Sequence, residues 1–119
     1  MTYAVVQNSA GNFVKPEDDT FKAAAAGADW AKSFYQILTN QPGKDAWPIS
    51  GATFILMHNK QDKPANATEV LKFFSWAYKN GDKTAAGLDY VPMPKPVIAA
   101  IEKAWGEIKD TAGKPVAFK

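Results

Sequence analysis

The feature that most constrains the fold is a near-continuous apolar stretch at residues 52–58, which reads Ala-Thr-Phe-Ile-Leu-Met-His. Its length is that of a strand, and it falls well short of the roughly 20 residues that a membrane-spanning helix needs. A short apolar run without alternation is typical of a strand that is buried on both of its faces. The stretch therefore predicts a buried strand, which favours an α/β architecture.

Weaker β signals lie near the start of the sequence. Residues 3–6 are rich in residues that favour strands, residues 9–12 have turn composition, and residues 13–14 can form the returning strand. This pattern predicts a short hairpin.

Helical signals follow in three places. Residues 18–20 can cap a helix over residues 21–26, and a second helix is predicted over residues 30–38. A capping signal at residues 66–69 opens a third helix that continues to Tyr78. Its apolar face is wide, so we expect this helix to be well buried.

The last helix has the clearest amphipathic pattern in the chain. Pro94 and Pro96 can occupy its first turn, where no backbone N–H is needed. One apolar stripe then includes Val97, Ile98, Ile101, Ala104, Trp105 and Ile108. Together these signals predict an α/β domain, or part of one, with a few strands and three or four helices.

The composition argues against several kinds of site. All 14 positively charged residues are lysines, and arginine, whose planar fork grips phosphate and carboxylate, is absent. This argues against a self-contained anion site and against a nucleic-acid partner. The absence of cysteine excludes disulfides, thiol catalysis and thiolate metal sites. The first residues do not resemble a signal peptide, so either the protein stays in the cytoplasm or this chain starts inside a longer one.

Candidate chemical groups are few, and each has a structural interpretation. His58 is the only histidine, and Asp62 follows it, but no nucleophile motif accompanies the pair. Asp18 and Asp19 are better explained as a helix cap than as a catalytic carboxylate pair. The small polar segment at residues 50–53 could direct N–H groups at an anion, but it leads into the predicted strand and does not open a helix. We therefore predict no catalytic residue, no metal site and no cofactor.

The tryptophans are better explained by packing than by stacking on a ligand. Trp76 and Trp105 fall on helical apolar faces and are predicted to be buried, and Trp47 can pack at a bend before Pro48.

Several phrases of the sequence carry a family resemblance. They are DAWPI at residues 45–49, TFIL at 53–56, TEVLKFFSWAY at 68–78, LDYVPMP at 88–94, IKD at 108–110 and GKP at 113–115. In this order and spacing they resemble the C-terminal part of the periplasmic phosphate-binding protein of the bacterial phosphate ABC transporter. The resemblance covers nearly the whole chain.

The resemblance implies a fold and a division of the chain. The fold would be the C-terminal portion of a two-domain type II periplasmic-binding-protein fold, in which two α/β lobes close on a dehydrated phosphate. Residues 1–46 would end the second lobe, residues 47–54 would cross between lobes, and residues 55–119 would complete the first lobe. Pro48 gives that crossing a stiff entry, and Ser50-Gly51 gives it a permissive point.

The resemblance also implies a function and partners. The chain would be a fragment of a non-enzymatic protein that binds inorganic phosphate in the periplasm and delivers it to a membrane permease. The family's phosphate ligands come from loops earlier in the chain, so no ligand-binding residue is expected in this segment. Two alternatives are a stand-alone small binding or interaction module that reuses part of the fold and a cytoplasmic enzyme domain built around His58, which the sequence hardly supports. Self-association of the chain also stays open.

Overall fold

The computed structural model describes residues 2–118, which combine four α-helices with two small two-stranded sheets. The prediction of a chain that mixes helices and strands is confirmed. The chain divides into two compact units. One contains the residues up to Phe54 together with Val91–Val97, and the other contains Ile55–Tyr90 and the residues from Ile98 onward.

The first unit begins with the predicted hairpin. Strand β1 (Val6–Gln7) pairs antiparallel with β2 (Phe13–Val14), so that Val6 lies opposite Val14. The strand predicted at residues 3–6 thus begins later than expected. Gly11 lies in the turn with a φ of 82°, a conformation that glycine adopts without steric cost.

One buried side chain, that of Asn8, joins this turn to a distant loop. Its Nδ2 group donates to the backbone oxygens of Gly43, Lys44 and Ala46 at 3.2, 2.9 and 3.2 Å. Its Oδ1 accepts from the backbone N–H groups of Ala10 and Asn12, both at 3.1 Å. A single amide therefore satisfies backbone groups on both sides of a gap of more than 30 residues.

Helix α1 (Asp18–Ala26) packs beside that loop. It begins after Glu17, so the predicted cap at residues 18–20 is already helical. The backbone N–H of Trp47 donates to Thr20 O at 2.9 Å, and the Trp47 ring lies 6.2 Å from the Phe21 ring. Trp47 is buried, as expected for packing at a bend.

The helix predicted over residues 30–38 is wrong, because that segment is irregular with isolated turns. Its polar side chains bond to nearby backbone in ways that a helix does not allow. Gln36 Nε2 donates to the backbone oxygens of Asp29 and Ser33, and Ser33 Oγ accepts from the N–H of Tyr35. Only Leu38 in this segment is buried.

The strand predicted over residues 52–58 is also wrong. The structure assigns no regular element there, and Phe54, Ile55 and Leu56 are exposed, Leu56 to 93%. A strand forms only when another strand satisfies its backbone groups. Within residues 2–118, no strand lies beside this segment.

The second unit is mostly helical. Helix α2 (Pro64–Asn80) starts with Pro64 in its first turn, two residues before the predicted cap, and ends at Gly81. Helix α3 (Asp82–Gly87) is short, and α4 (Lys95–Ala104) continues into a 3-10 turn at Trp105–Glu107. The third and last predicted helices are thus confirmed. The structure adds a parallel pair that was not predicted, β3 (Lys60–Gln61) with β4 (Lys109–Asp110).

The core of the second unit forms where α2 meets the end of the chain. Ala67 and Leu71 of α2 pack with Ile108 and Val116, and Leu71 is completely buried. Trp105 is only partly buried and stacks at 6.1 Å on Tyr78. The prediction that Trp105 is buried is therefore confirmed only in part.

The prediction that α2 is well buried is wrong for most of its surface. Its buried positions are Ala67, Leu71 and Ser75, which form one stripe at four-residue spacing. Phe73 and Trp76 are each 59% exposed, so Trp76 is not the core residue that its apolar face suggested.

Leu71→Ala is expected to lower the free energy of unfolding by about 2–5 kcal/mol, because it removes a fully buried side chain and leaves a cavity. Leu88→Ala is the matched control, since Leu88 is an exposed leucine of the same unit. The control should change stability by less than about 0.5 kcal/mol. Urea denaturation followed by circular dichroism measures both, and equal losses would contradict the assigned core.

Asn8→Asp is expected to destabilise the first unit by about 1–3 kcal/mol, because a carboxylate oxygen replaces the donor that faces three carbonyl oxygens. Asn12→Asp is the control, because exposed Asn12 donates a single side-chain bond, to Lys44 O. It should cost less than about 1 kcal/mol. Denaturation followed by tryptophan fluorescence compares the two, and a larger loss for Asn12→Asp would count against the network.

Candidate functional site

The small polar segment at residues 50–53 has no free hydroxyl at Ser50. That side chain is buried, and its Oγ donates to Trp47 O at 3.0 Å. No helix begins in the segment, as the sequence indicated. Ser50 therefore stabilises the bend that follows Trp47.

The other candidate groups are the pair His58 and Asp62 and the pair Asp18 and Asp19. His58 is exposed, and within residues 2–118 no hydrogen bond or ion pair joins its side chain to Asp62. Asp18 lies in the first turn of α1 and forms an ion pair with Lys22 one turn later. Glu17 holds the cap position of α1, so Asp18 is not its cap, and no strand ends at His58.

A polar contact that the sequence did not predict links α2 and α4. The buried hydroxyl of Ser75 donates to Glu102 Oε1 at 3.0 Å. A serine at the third position of an otherwise apolar stripe is the signal that could have indicated a buried partner. The partner itself lies 27 residues away in sequence, so spacing alone does not identify it.

Tyr78, one turn farther along α2, is affected by the same carboxylate. Burial raises the pKa of Tyr78 above its ordinary value of 10.0, and the negative charge of Glu102 raises it further. The phenol is thus kept neutral while its ring stacks on Trp105. Tyr78, Glu102 and Trp105 thus hold α2 against α4 and the 3-10 turn that follows it. They present no activated nucleophile.

Two further properties of residues 2–118 bear on function. They contain no cluster of three or more His, Asp or Glu side chains placed to hold a metal ion. None of their helices is both long enough and apolar enough to cross a membrane.

No protein-family model matches the chain, but individual relatives do. The phosphate-binding protein PstS of Pasteurella multocida is 44% identical over 117 residues, which is 96% of this chain. The proteins of the same name from Xylella fastidiosa (strain 9a5c) and Haemophilus influenzae are 43% and 41% identical over 107 residues each, or 88% of the chain. The chain belongs to the PstS family.

The match covers only part of the length of each PstS relative. The chain spans 34%, 29% and 32% of the lengths of these three proteins, or about a third. The family resemblance predicted from the sequence is therefore confirmed, and the mixed fold is that of a portion of a PstS protein. The assignment of residues to the two lobes and the absence of ligand residues stay predictions.

Tyr78→Phe is expected to make the chain less sensitive to alkali. The unfolded chain loses the Tyr78 proton first, so above about pH 10.0 the unfolded state holds fewer protons than the folded state. Stability is therefore fully retained below that pH and falls as the pH rises toward the folded-state pKa.

The measurement is urea denaturation between about pH 8 and pH 11, a window around the tyrosine pKa. Tyr78→Phe should flatten the alkaline loss, and Tyr35→Phe, at an exposed tyrosine, is the control. An unchanged slope in Tyr78→Phe would show that another group causes the loss.

Proposed function

We propose that this chain is part of a phosphate-binding protein that serves a phosphate ABC importer. The observation that carries the proposal is its identity of 41–44% to three proteins named phosphate-binding protein PstS, over 88–96% of its residues. A match of this extent reflects a shared fold and packing, and the whole protein's role follows from the family.

The phosphate ligands lie outside residues 1–119 in this proposal. The sequence has no arginine to form a bidentate contact with phosphate. Ser50, the only hydroxyl of its loop that is buried, already donates to Trp47 O. The segment therefore serves as scaffold for a site that other loops of the protein complete.

The division of the chain supports a position between two lobes. One boundary between the compact units falls between Phe54 and Ile55, next to the proposed crossing at residues 47–54, whereas Val91–Val97 belongs to the same unit as the residues up to Phe54. Residues 1–46 would belong to the second lobe, and residues 55–119 would complete the first. Gly51, with no heavy atom within 4 Å of a Cβ built on it, supplies room for a change of backbone angles.

The role proposed for the whole protein sets its partners and location. It would bind inorganic phosphate in the periplasm, pass it to a membrane permease and catalyse no reaction. The Ser75–Glu102 contact is explained by helix packing.

The test is a hybrid protein in which these 119 residues replace the matching region of Pasteurella multocida PstS. The hybrid should bind phosphate with saturable one-to-one stoichiometry in titration calorimetry, because it would regain the ligand loops. The unaltered relative is the positive control. A hybrid that unfolds cooperatively yet binds no phosphate would overturn the proposed role.

The isolated chain tests where the ligands lie. It should show no saturable binding at micromolar phosphate and moderate ionic strength, where weak lysine contacts are screened. Saturable binding by the chain alone would place ligands within it and favour a stand-alone binding module.

A further inference from the structure

The last residue of α2 belongs to a dipeptide with an intrinsic reactivity. The sequence has six asparagines, and Asn80 is the only one that a glycine follows. The backbone nitrogen of the residue after an asparagine can attack the side-chain carboxamide, and a side chain on that residue hinders the approach. Glycine has no Cβ and leaves the approach open. Among the asparagines of this chain, the attack is therefore least hindered at Asn80.

Helix α2 holds both of the groups that would react. The backbone N–H of Gly81 donates to Ala77 O at 2.7 Å, and Asn80 Nδ2 donates to Trp76 O at 2.9 Å. Gly81 has helical backbone angles, with a φ of −87° and a ψ of −8°. The nitrogen that would attack thus keeps its proton on Ala77 O, and the amide that would leave is tied to the preceding turn. The attack requires the last turn of α2 to open.

The structure also explains why glycine occupies position 81. A Cβ built on Gly81 would lie 2.6 Å from Ala77 O, which is a backbone atom that cannot rotate away. A side chain at this position would therefore disturb the hydrogen bond that ends α2. Asn80 is exposed, so water reaches its amide. The close packing of the helix end and the reactivity of the dipeptide have one origin, which is the missing Cβ.

We propose that Asn80 is a modification site, at which the chain deamidates through a cyclic imide when the last turn of α2 opens. The Gly81 nitrogen forms a bond to Asn80 Cγ, and the bond from Cγ to Nδ2 breaks. The proton of the Gly81 nitrogen leaves with Nδ2 as ammonia. Water then adds to either carbonyl carbon of the imide and opens the ring, so position 80 becomes an aspartyl or an isoaspartyl residue. Water is the only other reactant.

The modification weakens the helix end at which it occurs. It places a negative charge at the C-terminal end of α2, where the helix dipole is also negative. It removes the donor that bonds to Trp76 O. Asp82 follows in the first turn of α3, so a second negative charge lies close in sequence. The modification therefore destabilises the junction of α2 and α3.

Peptide mass spectrometry after incubation at mildly alkaline pH tests the site and its dependence on folding. In guanidinium chloride, the chain should convert Asn80 faster than any other asparagine. In the folded chain and in the folded Pasteurella hybrid, conversion of Asn80 should be at least about 10-fold slower, because the last turn of α2 must open first. Faster conversion of another asparagine in the denatured chain would overturn the site. Equal rates in the folded hybrid and the denatured chain would overturn the dependence on opening.

Gly81→Ala tests the chemistry separately from the fold. In the denatured chain the contact with Ala77 O plays no part, so only the hindrance by the added Cβ remains. Conversion of Asn80 should then slow to the rate of Asn66, which an alanine follows in the natural sequence. An unchanged rate in the denatured variant would overturn attack by the Gly81 nitrogen.

A matched pair of glycine substitutions tests where the helix opens. Ala77→Gly, in the last turn of α2, should accelerate conversion in the folded hybrid about 5-fold, in keeping with the effect of glycine on helix stability. Ala65→Gly, in the first turn of the same helix, should leave the rate unchanged. Equal acceleration by both would show that the whole helix opens and would overturn the role of the last turn. The readout does not depend on phosphate binding, so its failure leaves the proposed function standing.

Discussion

The buried amide of Asn8 is the contact on which the first unit depends. It is the only polar side chain among residues 2–118 that bonds to five backbone groups from two separate parts of the chain. Ala46 is completely buried, and its carbonyl oxygen without a donor would cost more than a typical hydrogen bond contributes, so the loop at residues 43–46 depends on this amide. Once that loop is fixed, Trp47 lies against α1, and the bend held by Ser50 follows.

The second unit relies on apolar packing around Leu71, with one polar contact added. Ser75 continues the buried stripe of α2, and its hydroxyl is satisfied by Glu102. A buried hydroxyl without a partner would destabilise the fold, so this contact selects one placement of α4 against α2. The carboxylate is thereby held near Tyr78, which explains the raised pKa of that phenol.

These contacts are those of a scaffold, which is the role proposed for this chain in the whole protein. The polar side chains of the candidate groups, Ser50, Asp18 and His58, are respectively bound to nearby backbone, paired along a helix and exposed. The surfaces without partners are apolar instead, at residues 52–57 and on the exposed side of α2. A segment with satisfied polar groups and uncovered apolar ones is suited to association with more polypeptide, and a phosphate site requires ligands that such polypeptide would bring.

The sequence by itself determined the elements whose stabilising contacts are local. The hairpin, α1, α2 and α4 were predictable because turns, caps and helical stripes act within a few residues. Tertiary structure decided the rest, because the deciding partners are distant in sequence. The Ser75–Glu102 contact and the parallel pairing of β3 with β4 span 27 and 49 residues, and no local pattern specifies them. The same reason explains the failure at residues 52–58, where apolar composition favours a strand but only a neighbouring strand can satisfy its backbone.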